Sequence, residues 1–224
     1  MSNYHPNHVY HWFHRVLHWS IAGAIAFLLP LGILIAVSDD LKMPESGEEV
    51  VVFIHIIIGL FFTTALLLRL ILLFAGRGTM NWRDIVPHTR EQFRVAKETI
   101  RYYLGGFKGL APLYYGHNPL AGAAYTAFFC FAVTQAASGI TMVVIHILNE
   151  GAVVKAGEAF KEAAEVMHGL GALFIILYIG AHLGALVLHE IVERRGLASS
   201  MISGYKFFTD EELAELEKNK KKPH

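Results

Sequence analysis

His168 and His182 lie fourteen residues apart inside one apolar stretch. Fourteen steps of 100° make about 1400°, about 40° short of four turns, so on a helix both rings leave nearly the same face. They are then roughly 21 Å apart along the axis at 1.5 Å per residue. That separation is comparable with a bilayer core, where imidazole is costly and marks function. Two rings stacked on one face suggest two redox centres, one near each side of a membrane.

Elements able to position such rings must be long and apolar. The chain has 224 residues, 54% of them hydrophobic and only 17% charged, where a soluble domain carries about 25% charge. Apolar runs at 16–37, 50–75, 120–148 and 166–190 each reach the ~20 residues that a spanning helix needs. Hydrocarbon satisfies no backbone polar group, so the runs are predicted to be helices. The fold expected is all-α, an integral membrane four-helix bundle. Its four-span domain covers 1–205, with a tail at 206–224.

Charge orients the spans. The first and third connections hold only Lys42, Lys155 and Lys161. The second carries Arg77, Arg83, Arg90, Arg94, Lys97, Arg101 and Lys108, and the tail Arg194, Arg195, Lys206, Lys218 and Lys220 to Lys222. The positive-inside rule places the long connection and both termini in the cytoplasm, as for a multi-pass protein of the inner (cytoplasmic) membrane. A formal net charge of zero disfavours a nucleic-acid partner and leaves the lipid bilayer as the surrounding medium. The start of the chain is His-rich with no small-residue cleavage signal, so span one is read as retained. Cys130 is the lone cysteine, which excludes a disulfide within the chain, an iron–sulfur cluster of its own and C-x-x-C-H haem attachment.

Three lesser elements are also predicted. Phe93, Ala96, Ile100, Tyr103, Leu104 and Phe107 are spaced as one helix face, lying on the inner membrane surface or solvated. An Ala/Glu-rich stretch at 149–165 reads as a separate short amphipathic helix. Thr209 with Glu212 fits a capping box opening a helical tail.

Depth then sorts the histidines. His55 and His168 fall near the outer ends of spans two and four, His18 and His182 toward the inner side of spans one and four. Each pair joins different helices at one depth, the arrangement needed to ligate a flat macrocycle from both faces, and two haems are expected. His14, one turn before His18, is an alternative ligand. His189 is expected at the interface, and His146 closes span three. Arg69 lies fourteen residues from His55 on the same face, at inner depth, where it would meet a haem propionate; snorkelling to headgroups is the alternative. Gly59, Gly169, Gly171 and Gly184 beside the ligands suit a porphyrin edge or close helix packing. Zinc or another transported cation is the rival use of imidazole pairs, but the spans carry no carboxylate between their ends.

The chain resembles the di-haem cytochrome b subunits that anchor respiratory nickel–iron hydrogenases and formate dehydrogenases of the gamma type. The resemblance rests on residues 15–19, 53–59, 82–85, 116–121 and the His168/His182 helix; the Gly-His-Asn-Pro-Leu-Ala run at 116–121 is closer to the hydrogenase branch. It implies two haem b groups with iron ligands His18, His55, His168 and His182. It also implies a menaquinone or other quinone site by the inner haem at Asn118 and His182, although Asn118 also suits a helix cap. The partners implied are the iron–sulfur and catalytic subunits of an extracytoplasmic oxidoreductase such as a hydrogenase. Electrons would pass from them through the haems to the quinone pool near the cytoplasmic side. The same scaffold would also serve a quinol-oxidising anchor of a terminal reductase, thiosulfate reductase-like, and a haem-free metal or ion transporter is the remaining reading.

Overall fold

The computed structural model describes residues 4–108, 111–149, 156–192 and 196–220. A strand β1 (Tyr4–His8) precedes the long helices α1 (Trp12–Ala36) and α2 (Glu45–Ala75). A 3-10 turn at Gly78–Met80 and two shorter helices follow, α3 (Trp82–Ile85) and α4 (Arg90–Leu104). The helices α5 (Pro119–Asn149) and α6 (Ala156–Val192) come next, then α7 (Leu197–Ser203), β2 (Tyr205–Thr209) and α8 (Asp210–Lys220). Four of these helices are long and apolar enough to cross a membrane, so the all-α, four-span fold stands. Phe27, Phe53, Phe74 and Leu177 are each more than half exposed on them, as side chains are when lipid rather than water is the solvent.

The residues form two compact units, and each long helix contributes a segment to both. Leu17–Arg69 and Phe128–Ile179 make a helical unit; Met1–Val16, Leu70–Ala127 and Gly180–His224 make a cap unit.

The helical unit is held by apolar faces at helical spacing. Leu17, Ile21 and Ala24 on α1, Phe62 and Leu66 on α2, and Ile175 on α6 are all buried, the i, i+4, i+7 pattern of a packed helix. Ala132 on α5 is fully buried. Phe131 stacks on Phe174 with ring centroids 3.7 Å apart, and Phe128 on Tyr178 at 4.8 Å.

The cap unit contains a strand pair that the sequence reading missed. β1 runs antiparallel to β2, with Tyr4 opposite Thr209 and His8 opposite Tyr205. The start of the stretch read as a tail at 206–224 is therefore the inner half of a sheet. Alternate residues of β2, Lys206 and Phe208, are buried, the period-2 signature of a strand. Phe208 packs with Val9 and Tyr10, and Leu213 and Leu216 of α8 close over them. The Thr209 backbone N–H donates to the Glu212 carboxylate at 3.0 Å, and the Glu212 N–H to the Thr209 hydroxyl at 3.2 Å. The capping box read from the sequence is thus formed. At Gly204 φ is +90°, and a Cβ there would meet the Tyr10 carbonyl; that carbonyl side of the turn leaves room only for glycine.

Two other expectations need comment. The helix expected around 93–107 forms as α4, opened by a Thr89/Gln92 capping box. It buries Val95, Thr99 and Tyr102, while Phe93, Ile100 and Leu104 stay exposed. The stretch expected as a separate short helix at 149–165 is instead, from Ala156 onward, the first turns of α6. Alanine, glutamate and lysine are strong helix formers, and no proline interrupts them before span four. Residues 150–155 lie outside the described residues.

Candidate functional site

In the helical unit α2 and α6 bring His55 and His168 ring to ring. Their centroids are 6.2 Å apart and their planes 65° apart. The glycines that make room are Gly32 and Gly139. A Cβ on Gly32 would come 3.4 Å from His55 Cε1, and one on Gly139 would come 3.3 Å from His168 Cε1. Of the glycines singled out by sequence, a Cβ on Gly59, Gly169 or Gly184 would meet nothing within 4 Å, whereas Gly171 abuts the Gln135 side chain.

A hydroxyl fixes His168. Ser138 Oγ donates its one proton to the Gln135 carbonyl at 3.1 Å, so at 3.0 Å from His168 Nδ1 it accepts. With Nδ1 carrying the hydrogen, Nε2 keeps its lone pair, the one available to a metal. His55 Nδ1 and Gln135 Oε1 are buried without a hydrogen-bond partner.

The other predicted residues divide between the units. His18 is in the helical unit, half-buried, with its ring edge-on to Trp19 at 5.4 Å. Arg69 is also there, only 3% exposed, its guanidinium 5.6 Å from the centre of the Phe129 ring. It therefore does not reach outward as a snorkelling arginine would. His182 and Asn118 belong to the cap unit. His182 is half-buried on α6. Asn118 is buried, and its Oδ1 accepts from the Leu120 N–H at 2.9 Å, capping α5 ahead of Pro119. His189 is buried and accepts from or donates to the Tyr103 hydroxyl at 2.8 Å. His146 is exposed.

The cap unit also holds a polar cluster that the sequence reading did not assemble. Asp84 Oδ2 accepts from His117 twice, from the backbone N–H at 3.1 Å and from Nδ1 at 2.5 Å. Gly116 permits this approach, because a Cβ there would overlap the Asp84 carboxylate. Gly122 likewise sits directly on the Ile85 carbonyl, so α3 docks against the start of α5. The Gly116 carbonyl accepts from the Tyr10 hydroxyl at 3.2 Å and from Lys206 Nζ at 2.5 Å. Lys206 is 2% exposed and lies over the Tyr10 and Tyr114 rings, where carbonyls and π faces replace its water. Burial first, and then the Asp84 charge, push the Tyr10 phenol well above its ordinary pKa, so it remains a donor. His14 packs into this cluster, its ring centroid 5.6 Å from both Tyr10 and His117. Adjacent glycine, histidine and asparagine were the available signal; Asp84, earlier in that connection, lies in the 82–85 segment of the resemblance, but nothing there marks it as the partner of His117.

Three curated relatives align along most of their length. A probable Ni/Fe-hydrogenase B-type cytochrome subunit of Bradyrhizobium diazoefficiens is 28% identical over 214 residues, 88% of this chain and 84% of that protein. The protein of that description in Cupriavidus necator is 27% identical, covering 88% and 85%. The probable Ni/Fe-hydrogenase 1 B-type cytochrome subunit of Escherichia coli is 26% identical, covering 86% and 87%. No solved structure matches the chain. The family described as prokaryotic cytochrome b561 matches residues 9–204. Because that match runs from the end of β1 through α7 and takes in every site residue described above except Lys206, the chain belongs to the prokaryotic cytochrome b561 family.

Proposed function

We propose that this protein carries electrons across the membrane through two b haems, one held by His55 and His168 and the other by His18 and His182. The observation that carries the reading is the His55–His168 pair. A metal bound to two imidazole nitrogens at about 2.0–2.1 Å, with each ring centre roughly 1.2 Å further back, sets the centroids about 6.4 Å apart. The pair stands at 6.2 Å, with Ser138 holding one ring in the ligating tautomer and His55 Nδ1 buried without a partner. The donor set also fits. Among the described residues no group of three or more His, Cys, Asp or Glu is placed to hold a bare metal ion. Two imidazoles are what an iron already bound by a macrocycle requires, which favours haem over a transported cation.

When bound, the haem iron supplies one-electron redox chemistry. The chain supplies orientation and electrostatics. Ser138 fixes the His168 ring. Arg69, buried against Phe129, brings a guanidinium able to hold a propionate in bidentate geometry. The Lys/Arg excess supports placing the cap unit, with the paired terminal strands, on the cytoplasmic side. Asn118 marks a quinone site there in our reading. The relatives' names support a hydrogenase as the partner; in our reading it is extracytoplasmic and donates electrons through its own iron–sulfur subunit.

A visible spectrum of the purified protein before and after dithionite, with haem counted per chain, tests the reading. Two b-type haems per chain are expected; none, or one, overturns it. Haem reduction by the co-purified hydrogenase under hydrogen, followed by reoxidation with a naphthoquinone, tests direction. Reduction by quinol alone would instead favour the quinol-oxidising reading.

A further inference from the structure

The Asp84–His117 pair has the geometry of a proton-transfer dyad. Nδ1 of His117 is engaged by a carboxylate that also takes its backbone N–H, which fixes the ring's orientation and tautomer. The opposite nitrogen, Nε2, is buried without a hydrogen-bond partner, and the His117 side chain is 7% exposed. A buried imidazole nitrogen left open is costly unless something binds it. Asp84 is 24% exposed, so the far end of the pair reaches solvent. The groups facing the His117 ring are Asp84 from α3, Tyr10 and His14 from the start of α1, and Tyr125 from α5, whose ring centre is 5.3 Å away. Lys206 lies one ring further out, over Tyr10. The next residue, Asn118, is the one assigned above to the quinone site, and the inference rests on that reading.

We propose that His117 Nε2 donates a proton to a quinone oxygen at this site, with Asp84 as the positioning residue that holds the ring. A quinone takes up two electrons and two protons to become a quinol. The electrons are those delivered by the proposed function. One proton leaves the His117 imidazolium, its Nε2–H bond breaking as the quinone O–H bond forms, and the other comes from water. The neutral ring, its Nδ1–H still held by Asp84, regains its proton at Nε2 from water once the quinol has left.

The test uses the intact protein with its haems. His117→Gln keeps a side-chain donor but cannot titrate. With the reduced haem spectrum unchanged, naphthoquinone reduction should fall about 100-fold, within the range of general acid catalysis. Asp84→Asn, which keeps an acceptor for the ring but not the charge, should reduce the rate less. A second readout needs no turnover. An acidic hydroxynaphthoquinone, bound as its anion to the oxidised protein at one fixed pH, should bind the wild type more tightly than either variant. A His117→Gln protein with wild-type rate overturns the proposal. If that variant loses its haem spectrum, Asp84→Asn decides: an unmoved rate together with an unmoved affinity for the hydroxynaphthoquinone overturns it. A wild type with normal haem that reduces no quinone sinks the functional reading itself, a result visible before any variant is made.

Discussion

Each of the two units orients a histidine, and they do it with different partners. In the helical unit a hydroxyl accepts from His168 Nδ1; in the cap unit a carboxylate accepts from His117 Nδ1. A neutral partner sets the tautomer and leaves a lone pair for a metal. An anionic partner also stabilises the imidazolium, the form that can give a proton away. The surroundings match. His168 sits among helices whose outer faces are Phe and Leu, while His117 lies among Tyr10, Tyr125, Lys206 and backbone carbonyls. In the roles proposed above, one residue type serves electron chemistry in one place and proton chemistry in the other. The neighbour on Nδ1 makes the difference.

Removing a ligand should separate the units most sharply. His168→Ala is expected to lose one of the two haems proposed above, seen as half the pyridine haemochrome absorbance per chain, while trypsin resistance of the cap stays wild type. Loss of both haems would break the assignment of one haem to each histidine pair. The converse change is Lys206→Met, which removes a charged donor from the Gly116 and Tyr115 carbonyls and should cost about 1.5–3 kcal/mol. Thermal unfolding should report it with both haems still bound; haem loss at low temperature would break the comparison. Ser138→Ala frees the His168 ring and should weaken haem retention about tenfold, the lower end for a lost partner of a ligating histidine. Haem transfer to apomyoglobin measures it, and an unchanged transfer rate would remove Ser138 from the argument. The smallest effect belongs to Thr209→Ala, about 1 kcal/mol at the start of α8, read by amide exchange confined to Asp210–Lys220.

The long helices were legible because their signal is local. Apolar runs of membrane length located all four, but α2 starts at Glu45 rather than 50 and α6 at Ala156 rather than 166, where glutamates extend both helices beyond the hydrophobic stretch. The Thr209/Glu212 capping box was equally local and equally readable. β1 was not. Its sequence, Tyr-His-Pro-Asn-His, has no apolar alternation, and its partner strand lies at the other end of the chain. Asp84 escaped for the same reason: thirty-three residues separate it from His117, and nothing in Trp-Arg-Asp-Ile announces a buried contact. Gly32 and Gly139 contact the rings of His55 and His168 from neighbouring helices, whereas the sequence pointed to glycines next to the ligands along the chain.

By itself, then, the sequence determined which segments are membrane-length helices and that His168 and His182 share one helix face. Both follow from the helical repeat, a relation among residues close along the chain. The pairing of His55 with His168 was already readable from depth along the spans; only the folded structure shows that Gly32 and Gly139 make room for those rings, that a hydroxyl orients one histidine and a carboxylate another, and that β1 and β2 pair as a sheet. Such partners are chosen by packing, burial and hydrogen-bond satisfaction between distant segments, and no local periodicity encodes that choice.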